Sequence, residues 1–361
     1  MLPLDRQFAE SIDGVSRALA EWSLSLLYER RADFDARYGP EGRDLWKGEF
    51  VNRLQYLAEA VAADRPTLFV HSVEWARAAF AARDLDERDL IDSLEALDET
   101  LKAELPAQVS ARACRIVSAG LAALRKPVAS AVDAAAPSVL DHEGVDGTRA
   151  RLYLMHLLER HQSKAVDVLL EAVRSGKTVA QVYETVIGPA LSEVGRLWHL
   201  KEATVADEHY VTAATQSAMA VLRMKLPRAE PNGSRVLAAS VGGDLHDIGI
   251  RMVADLLESE GFEVECLGAN MPTLDLIDRL RETAAAGGFD LIALSASTGL
   301  TVRAMTDAVA AIRAESGPDG PPIMVGGGAF CSIPDLWQVV GADGCACSAT
   351  EAVKVAKRLV G

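Results

Sequence analysis

The chain has 361 residues, of which 49% are hydrophobic and 25% charged, and its formal net charge is −15. These proportions are typical of a globular protein with room for two or three domains. The acidic balance, without a stripe of Lys or Arg, argues against nucleic-acid binding. We find neither the apolar core of a signal peptide nor a run of about 18 apolar residues, so a cytoplasmic protein that does not enter a membrane is expected.

The first predicted domain, residues 1–130, has a helical pattern throughout. Apolar side chains recur at intervals of three and four, as at Leu54, Leu57 and Val61, and prolines coincide with the breaks between helices. Aromatic residues at helical spacing are common here, and they are more typical of a core than of a ligand pocket. A segment rich in Ala, Pro, Gly and Asp, 131–147, is predicted to be a linker.

Residues 148–228 are predicted to form a helical bundle, and residues 229–361 a parallel sheet flanked by helices. The bundle comprises three periodic apolar segments, at 148–175, 179–197 and 205–226. Short apolar runs then alternate with helical segments, at 236–241, 263–267, 290–295, 322–326 and 343–346. This alternation predicts an α/β domain with a flavodoxin-like (Rossmann-like) strand order, so the whole chain is expected to be α followed by α/β.

The five cysteines are an odd number and lack the spacing of a disulfide framework. Cys345 and Cys347 could suggest half of a metal site, but no second pair completes one. We therefore interpret both as packing residues near the last predicted strand.

The first predicted strand leads into a polar loop that carries Asp244, His246 and Gly249. Ligands of parallel α/β sheets bind outside the carboxyl ends of the strands, so His246 is placed to meet one. Asp244 could accept a ring N–H, which would fix the tautomer and leave the other nitrogen free for a metal. A lone loop histidine is more commonly solvated or capping, so the ligand interpretation depends on what the other strand ends carry.

Small residues follow the next strand ends: Ser295 ends the third predicted strand, and Gly326 and Gly327 end the fourth. Together with Asp-x-His-x-x-Gly, this pattern resembles the cobalamin-binding domain of methionine synthases, mutases and corrinoid proteins. The resemblance implies that His246 replaces the cofactor's own dimethylbenzimidazole as the lower ligand of cobalt. It also implies that the displaced nucleotide tail lies against strand ends that offer glycines and a hydroxyl.

Two further positions are compared with that family. Ser297 stands where the family usually has leucine, so the detailed fit of the tail differs here. Thr301 matches the place of a serine that is linked to the Asp and His in methionine synthase. We include both residues in the predicted cobalamin site.

The predicted bundle contains Trp198, followed after nine residues by Glu208 and His209. This pattern resembles that of the CarH-type photoreceptors, which hold 5′-deoxyadenosylcobalamin and break its cobalt–carbon bond in light. The resemblance implies that the tryptophan and glutamate, with Val205, enclose the adenosyl group, and that His199 takes the upper cobalt position after photolysis. CarH-type regulators begin with a basic MerR-type DNA reader; a larger helical domain stands here instead, so direct repression of a promoter is not expected.

The segment RPTLFVHSVEWARAAFAARDL is similar to the N-terminal half of the photocobilins, cobalamin photoreceptors that also bind the linear tetrapyrrole biliverdin. The similarity implies a bilin pocket lined by Tyr56, His71 and Trp75. Arginines such as Arg53 or Arg77 would then pair with the propionates.

Three functions are weighed. The favoured one is a light sensor in which loss of the upper ligand changes the conformation, the assembly into a homo-oligomer such as a dimer, or a downstream protein. The alternative is a corrinoid carrier for a methyltransferase system, which needs the same His246 site. The third, the cobalamin subunit of a radical mutase, needs a separate substrate barrel. Because nucleophile triad, zinc signature and phosphate loop are all missing from the sequence, an enzyme acting alone is not expected.

Overall fold

The computed structural model describes residues 4–126, 138, 140 and 144–361. Its internal contacts divide the chain into two compact units, Met1–Ala136 and Pro137–Gly361. Most of the predicted linker, 131–147, lies outside the described residues. Within the described part, no helix is both long enough and apolar enough to cross a membrane.

The described part of the first unit is helical. Its helices are α1 (Leu4–Arg30), α2 (Phe34–Tyr38), α3 (Gly42–Ala63), α4 (Pro66–Ala82), α5 (Glu87–Glu104) and α6 (Ala107–Leu124). Pro66 begins α4, where a missing N–H is not needed, and the Asp86 carboxylate caps α5 by accepting from the amide of Arg88.

The aromatic side chains of the first unit were expected to pack in its core, and some of them do so while others are exposed. The rings of Phe34 and Trp46 stack with centroids 5.5 Å apart, and both residues are buried. Trp22 and Trp75, by contrast, are each 47% exposed. Helical spacing alone does not say which face of a helix is covered, because that depends on the neighbouring helices.

The second unit starts with a bundle of helices. These are α7 (Val145–Leu158), α8 (Gln162–Arg174), α9 (Val179–Val182), a π-helical turn (Tyr183–Ile187), α10 (Gly188–His199) and α11 (Val205–Arg223). The predicted helix 148–175 is wrong as a single element, since it is broken after Leu158. Arg160 has a φ of 63°, a left-handed conformation that ends one helix before the next begins. Capping boxes at Thr178 and Thr204 start α9 and α11.

A parallel sheet completes the second unit. Its strands are β1 (Arg235–Val241), β2 (Glu263–Met271), β3 (Leu291–Ser295), β4 (Ile323–Gly326) and β5 (Gly344–Ala346), in the spatial order β2-β1-β3-β4-β5. The helices of this domain are α12 (Ile248–Ser259), α13 (Thr273–Ala284), α14 (Val302–Ser316), α15 (Gly328–Ser332), α16 (Leu336–Val339) and α17 (Ala349–Val360). This is the predicted flavodoxin-like order, and the predicted α followed by α/β class is confirmed.

Strand β2 is longer than predicted, because it continues past residue 267 to Met271. Its pairing with β1 shifts register after Ala238, and Gly268 and Asn270 adopt positive φ values of 80° and 52°. Irregularities of this kind bend a strand and redirect its end. The result is that the end of β2 lies against the loop after β1.

The bundle and the sheet share one apolar core. Ile248, Met252 and Leu256 on α12 belong to the same buried cluster as Tyr153 and Leu222 of the bundle. The hydroxyl of Tyr183 also donates to Asp255 Oδ2 over 2.7 Å. Burial of a continuous apolar surface explains why the bundle and the sheet form one compact unit.

The structure corrects the interpretation of one cysteine. Cys347, expected to be a packing residue, forms a disulfide with Cys331, and their Cα atoms are 5.4 Å apart. Cys345 is unpaired and partly buried. The disulfide joins the end of α15 to the residue that follows β5, a pairing that spacing along the chain does not reveal.

Candidate functional site

The loop after β1 places His246 at the carboxyl end of the sheet, beside a buried carboxylate. The ring Nδ1 of His246 lies 2.8 Å from Asp244 Oδ1, and its backbone amide donates to the same oxygen over 3.0 Å. A carboxylate can only accept, so Nδ1 is the donor and Nε2 is left with its lone pair. The side chain of His246 is 62% exposed. The loop thus presents one imidazole nitrogen, in a defined tautomer, as a metal ligand.

Asp244 accepts hydrogen bonds from residues in the loops after two strands, β1 and β3. It is 1% exposed, and its second oxygen, Oδ2, accepts from the backbone amide of Ser297 over 2.5 Å. Burial raises the pKa of Asp244, but the hydrogen bonds from His246 and Ser297 outweigh it and hold the pKa below its usual value. The hydrogen bond to Asp244 in turn raises the pKa of His246, and the nearby charge of Glu208 acts in the same direction. The carboxylate therefore stays ionised and orients the ring.

Neighbouring polar groups complete the loop. The sequence predicts that residues 268–272, which leave the second strand at its carboxyl end, form another wall of the site, but it gives no indication of Ser240 or of the hydrogen bonds of Asn270. The Ser240 hydroxyl donates to the carbonyl of His246 over 3.0 Å. Asn270 lies at the end of β2. Its side-chain oxygen accepts from the backbone amide of Gly243 over 2.7 Å, and its backbone amide donates to the carbonyl of Asp244 over 2.8 Å. Asparagine tolerates positive φ at a strand end, so the residue type at position 270 was informative. Its partners Gly243 and Asp244, however, lie 27 and 26 residues earlier in the chain, so the sequence does not reveal these contacts.

The glycines after β4 provide close backbone approach. A Cβ atom on Gly326 would lie 2.7 Å from the carbonyl oxygen of Ala346, and one on Gly327 would lie 2.4 Å from that of Ala296. Gly327 also has a φ of 98°. Only glycine fits these two positions without moving the backbone. The strand ends are consequently free of side-chain bulk, as a long ligand lying across them requires.

A cavity of about 570 Å³ opens beside these strand ends. Its walls come from the ends of β3 and β4, from α12 and α17, and from the turn before α10. The predicted site residues Gly249, Ser295, Ser297, Gly326 and Gly327 all line it. A Cβ atom on Gly249 would meet nothing within 4 Å, so its backbone is exposed to open space. The cavity has the size of a ligand site, and its walls combine apolar side chains with backbone groups and hydroxyls.

Thr301 has a different partner from the one that the methionine synthase comparison implies. It is buried, and its hydroxyl donates to the carbonyl of Thr298 over 3.0 Å. The backbone amide of Ser297, rather than this hydroxyl, reaches Asp244. Thr301 therefore shapes the loop after β3 from within.

The predicted upper residues lie on the bundle side. Trp198 is 44% exposed and Val205 is 54% exposed, whereas His199 is buried at 6%. Glu208 accepts from the Thr212 hydroxyl over 3.1 Å and lies 2.6 Å from Nδ1 of His209. The roles of these bundle residues at a cofactor remain predictions.

The residues predicted to line a bilin pocket lie in the first unit. His71 is exposed on α4, and Tyr56 is partly buried on α3. The two arginines predicted to pair with propionates already have protein partners: Arg53 is buried and donates to the Ser93 hydroxyl over 2.9 Å, and Arg77 is paired with Glu87 over 2.8 Å.

The residues of the second unit fit a corrinoid. A nitrogen ligand with a fixed tautomer lies in the loop after β1, and the cavity reaches the glycines at the end of β4. Imidazole suits cobalt as a ligand, and the glycine-lined slot suits a nucleotide tail. The groups that fit the corrinoid come from the ends of β1, β3 and β4, which are far apart in sequence.

Comparisons with known proteins agree with this geometry. The B12 binding domain family matches residues 234–357, and a second B12 binding domain family matches residues 150–223. Dimethylamine corrinoid protein 3 of Methanosarcina mazei is 34% identical over 126 residues, which are 35% of this chain and 71% of that protein. Dimethylamine corrinoid protein 3 of Methanosarcina acetivorans is 29% identical over 199 residues, which are 54% of this chain and 90% of that protein.

A solved structure shows the same fold. The monomethylamine corrinoid protein of Methanosarcina barkeri superposes with a TM-score of 0.52 at 22% identity, over 59% of this chain and 99% of that chain. Both family matches lie within the second unit.

These relatives overturn part of the sequence interpretation. The assignment to CarH-like photoreceptors and photocobilins is wrong, and so is the light-sensing function, because the relatives are dimethylamine and monomethylamine corrinoid proteins. Neither biliverdin nor an adenosyl group finds support among them. The prediction that the chain is not an enzyme acting alone is confirmed, since these relatives are named as corrinoid proteins. The chain belongs to the family of corrinoid proteins with a B12 binding domain, and it binds cobalamin or a related corrinoid.

Proposed function

We propose that this protein is a corrinoid carrier that shuttles a methyl group between partner methyltransferases. The observation that carries the proposal is the His246–Asp244–Ser297 connection beside a glycine-lined cavity, in a chain related to dimethylamine corrinoid proteins. When bound, the corrin's cobalt supplies the centre that accepts and releases the methyl group. The upper group carried is thus proposed to be methyl rather than adenosyl.

The residues of the sheet side hold and orient the cofactor in this proposal. His246 would offer Nε2 to cobalt, and Asp244 fixes the tautomer of the ring by accepting the hydrogen bond from Nδ1. Gly326 and Gly327 leave room for the nucleotide tail, while Ser295 offers it a hydroxyl. The ionised Asp244 would make the ring a stronger electron donor toward a bound cobalt.

The residues of the bundle side cover the upper face in this proposal. Trp198 and Val205 are partly exposed apolar side chains that exclude water, and Glu208 with His209 forms a polar pair beside them. Their exposure leaves them accessible to a partner enzyme. We assign them to shielding the upper face between transfers.

The experiment loads the full chain with methylcobalamin and measures its absorption spectrum after desalting. The expected spectrum is that of a corrinoid with its own base displaced and a histidine bound. Transfer is then measured with a thiol acceptor and the methyltransferase that serves a dimethylamine corrinoid relative, by loss of the methyl group from the protein. Retention of the cofactor without any methyl transfer would reject the carrier function, and failure to retain it would reject the assigned site.

A further inference from the structure

Three potential metal ligands meet at the turn between α7 and α8, and none of them is among the residues assigned to the corrinoid site. They are His156 in the last turn of α7, Glu159 just after it and His161 just before α8. Their ligand atoms all lie within 4.8 Å of one another. Among the described residues this is the one group of three or more His, Cys, Asp or Glu side chains that meets this condition. The proposed carrier function leaves these residues without a role.

The backbone of the turn brings the two histidines together. Arg160, at a φ of 63°, reverses the chain so that the amide of His161 donates to the carbonyl of His156 over 2.7 Å. The centroids of the two imidazole rings are 6.3 Å apart. Nδ1 of His161 lies 3.2 Å from Glu159 Oε2, and Nδ1 of His156 lies 3.9 Å from the same oxygen. The carboxylate thus stands between the two rings.

His156 supplies the second observation. Its side chain is only 18% exposed, and its Nδ1 atom is buried without a hydrogen-bond partner among the described residues. A buried ring nitrogen without a partner loses the free energy of a hydrogen bond. A metal ion bound between the rings would satisfy it. The ordinary alternative, a surface ion pair of Glu159 with His161, leaves Nδ1 of His156 unsatisfied.

The donor set indicates the class of metal. Two imidazoles and one carboxylate are typical of zinc and related divalent transition metals rather than of magnesium or calcium, which prefer oxygen ligands. Tetrahedral zinc with bonds of about 2.0–2.1 Å needs donor atoms about 3.3 Å apart, so rotation of the exposed Glu159 and His161 side chains would close the site. The carboxyl end of α7 also favours a cation. Three protein ligands leave one position for water.

We propose that His156, Glu159 and His161 form a binding site for a divalent transition metal such as zinc. The turn is also held to the bundle, because Arg160 pairs with Asp207 over 2.5 Å and its guanidinium lies 4.4 Å from the centroid of the Tyr210 ring. Asp207 precedes Glu208 at the start of α11. A metal at this turn would therefore brace the part of the bundle that faces the corrinoid.

Zinc binding by the untagged full chain tests the site, after removal of metals with a chelator and both with and without bound cobalamin. Competition with a chromogenic zinc indicator should give one zinc per chain. His161→Ala and Glu159→Gln should each weaken binding by about 10-fold or more. The double variant His156→Ala/His161→Ala should lose it. Zinc should also raise the Tm of the wild-type chain but not that of the double variant.

Matched controls separate the site from general effects. Glu171→Gln removes an exposed carboxylate on α8, and His71→Ala removes an exposed histidine of the first unit. Both should bind zinc like the wild type. Because His156 is largely buried, the exposed pair Glu159→Gln/His161→Ala provides a variant that keeps the fold. Failure of the wild type to bind zinc, or equal binding by this exposed double variant, would overturn the proposal.

Discussion

In the proposed corrinoid site, the Asp244 carboxylate on the sheet side is buried and connected across strands, whereas the Glu208 carboxylate on the bundle side is partly exposed and bonded within its own helix. Asp244 is 1% exposed and binds groups from two different loops. Glu208 has a side chain that is 33% exposed, and its partners are His209 and Thr212 on the same helix. Rigid placement of the histidine thus contrasts with an adaptable cover.

The difference suits the proposed carrier function. A lower ligand must keep one orientation through many transfers, and a buried, fully hydrogen-bonded carboxylate supplies that rigidity. A cover must move aside for partner enzymes, and exposed side chains with local partners rearrange at little cost in free energy. Substitutions on the two sides should accordingly have effects of different size.

The largest effect is expected from His246→Ala, which removes the nitrogen assigned to cobalt. The bound corrinoid should lose the spectrum of a histidine-ligated form, because the ring assigned to cobalt is removed. Absorption spectra of the loaded wild type and variant measure this directly. An unchanged spectrum would mean that the lower ligand lies elsewhere. His71→Ala, in the first unit, serves as the control.

Asp244→Asn should have the next largest effect. The amide keeps the size of the side chain, but it has only one oxygen for the His246 ring and the Ser297 amide. We expect about 10–100-fold weaker corrinoid binding and about 1–3 kcal/mol lower free energy of unfolding. Binding titrations measure the corrinoid affinity. Hydrogen exchange of the second unit at increasing denaturant concentration measures its free energy of unfolding.

The control for Asp244→Asn is Asp278→Asn on α13. Its carboxylate is 65% exposed and pairs with Arg281 at the surface. Such a pair contributes about 0–1 kcal/mol. Equal losses of binding in the two variants would show that general charge, rather than the orientation of His246, governs affinity.

Gly249→Ala should separate stability from binding. A Cβ atom at this position meets nothing within 4 Å in the folded chain, and alanine is favoured over glycine in a helix by up to about 1 kcal/mol. The variant should therefore be as stable as the wild type or more so. Because Gly249 lines the cavity, an added methyl group there should weaken corrinoid binding by about 1–3 kcal/mol. Gly14→Ala, also on a helix with nothing within 4 Å, should leave binding unchanged.

The smallest effect is expected from Glu208→Gln on the bundle side. The amide retains an acceptor for Thr212, and the position is partly exposed, so corrinoid affinity should change by less than about 1 kcal/mol. The rate of methyl transfer to a partner enzyme is the informative measurement for this residue. A loss of affinity as large as that of Asp244→Asn would refute the contrast between the two sides.

Much of the fold could be predicted because its signals are local. Short apolar runs that alternate with helical patterns separated the sheet domain from the helices before it, and the strand ends carried His246, Ser295 and Gly326 in the expected order. The length of β2 and the break at Arg160 were missed, since both depend on residues that adopt positive φ. The functional error came from the bundle, where a Trp and Glu-His spacing resembles photoreceptors but fits a corrinoid carrier as well.

By itself, the sequence determined the class of fold and the corrinoid, and it predicted the imidazole that is proposed to bind cobalt, because a short motif and the alternation of strands and helices contain that information. Only the tertiary structure decided that Ser297 donates to Asp244, that Cys331 pairs with Cys347, and that His156 meets His161 around a reversed turn. The first two contacts join residues far apart in sequence, and the third depends on a backbone conformation that residue types do not specify. Such contacts form only when packing brings the strand ends and helices together.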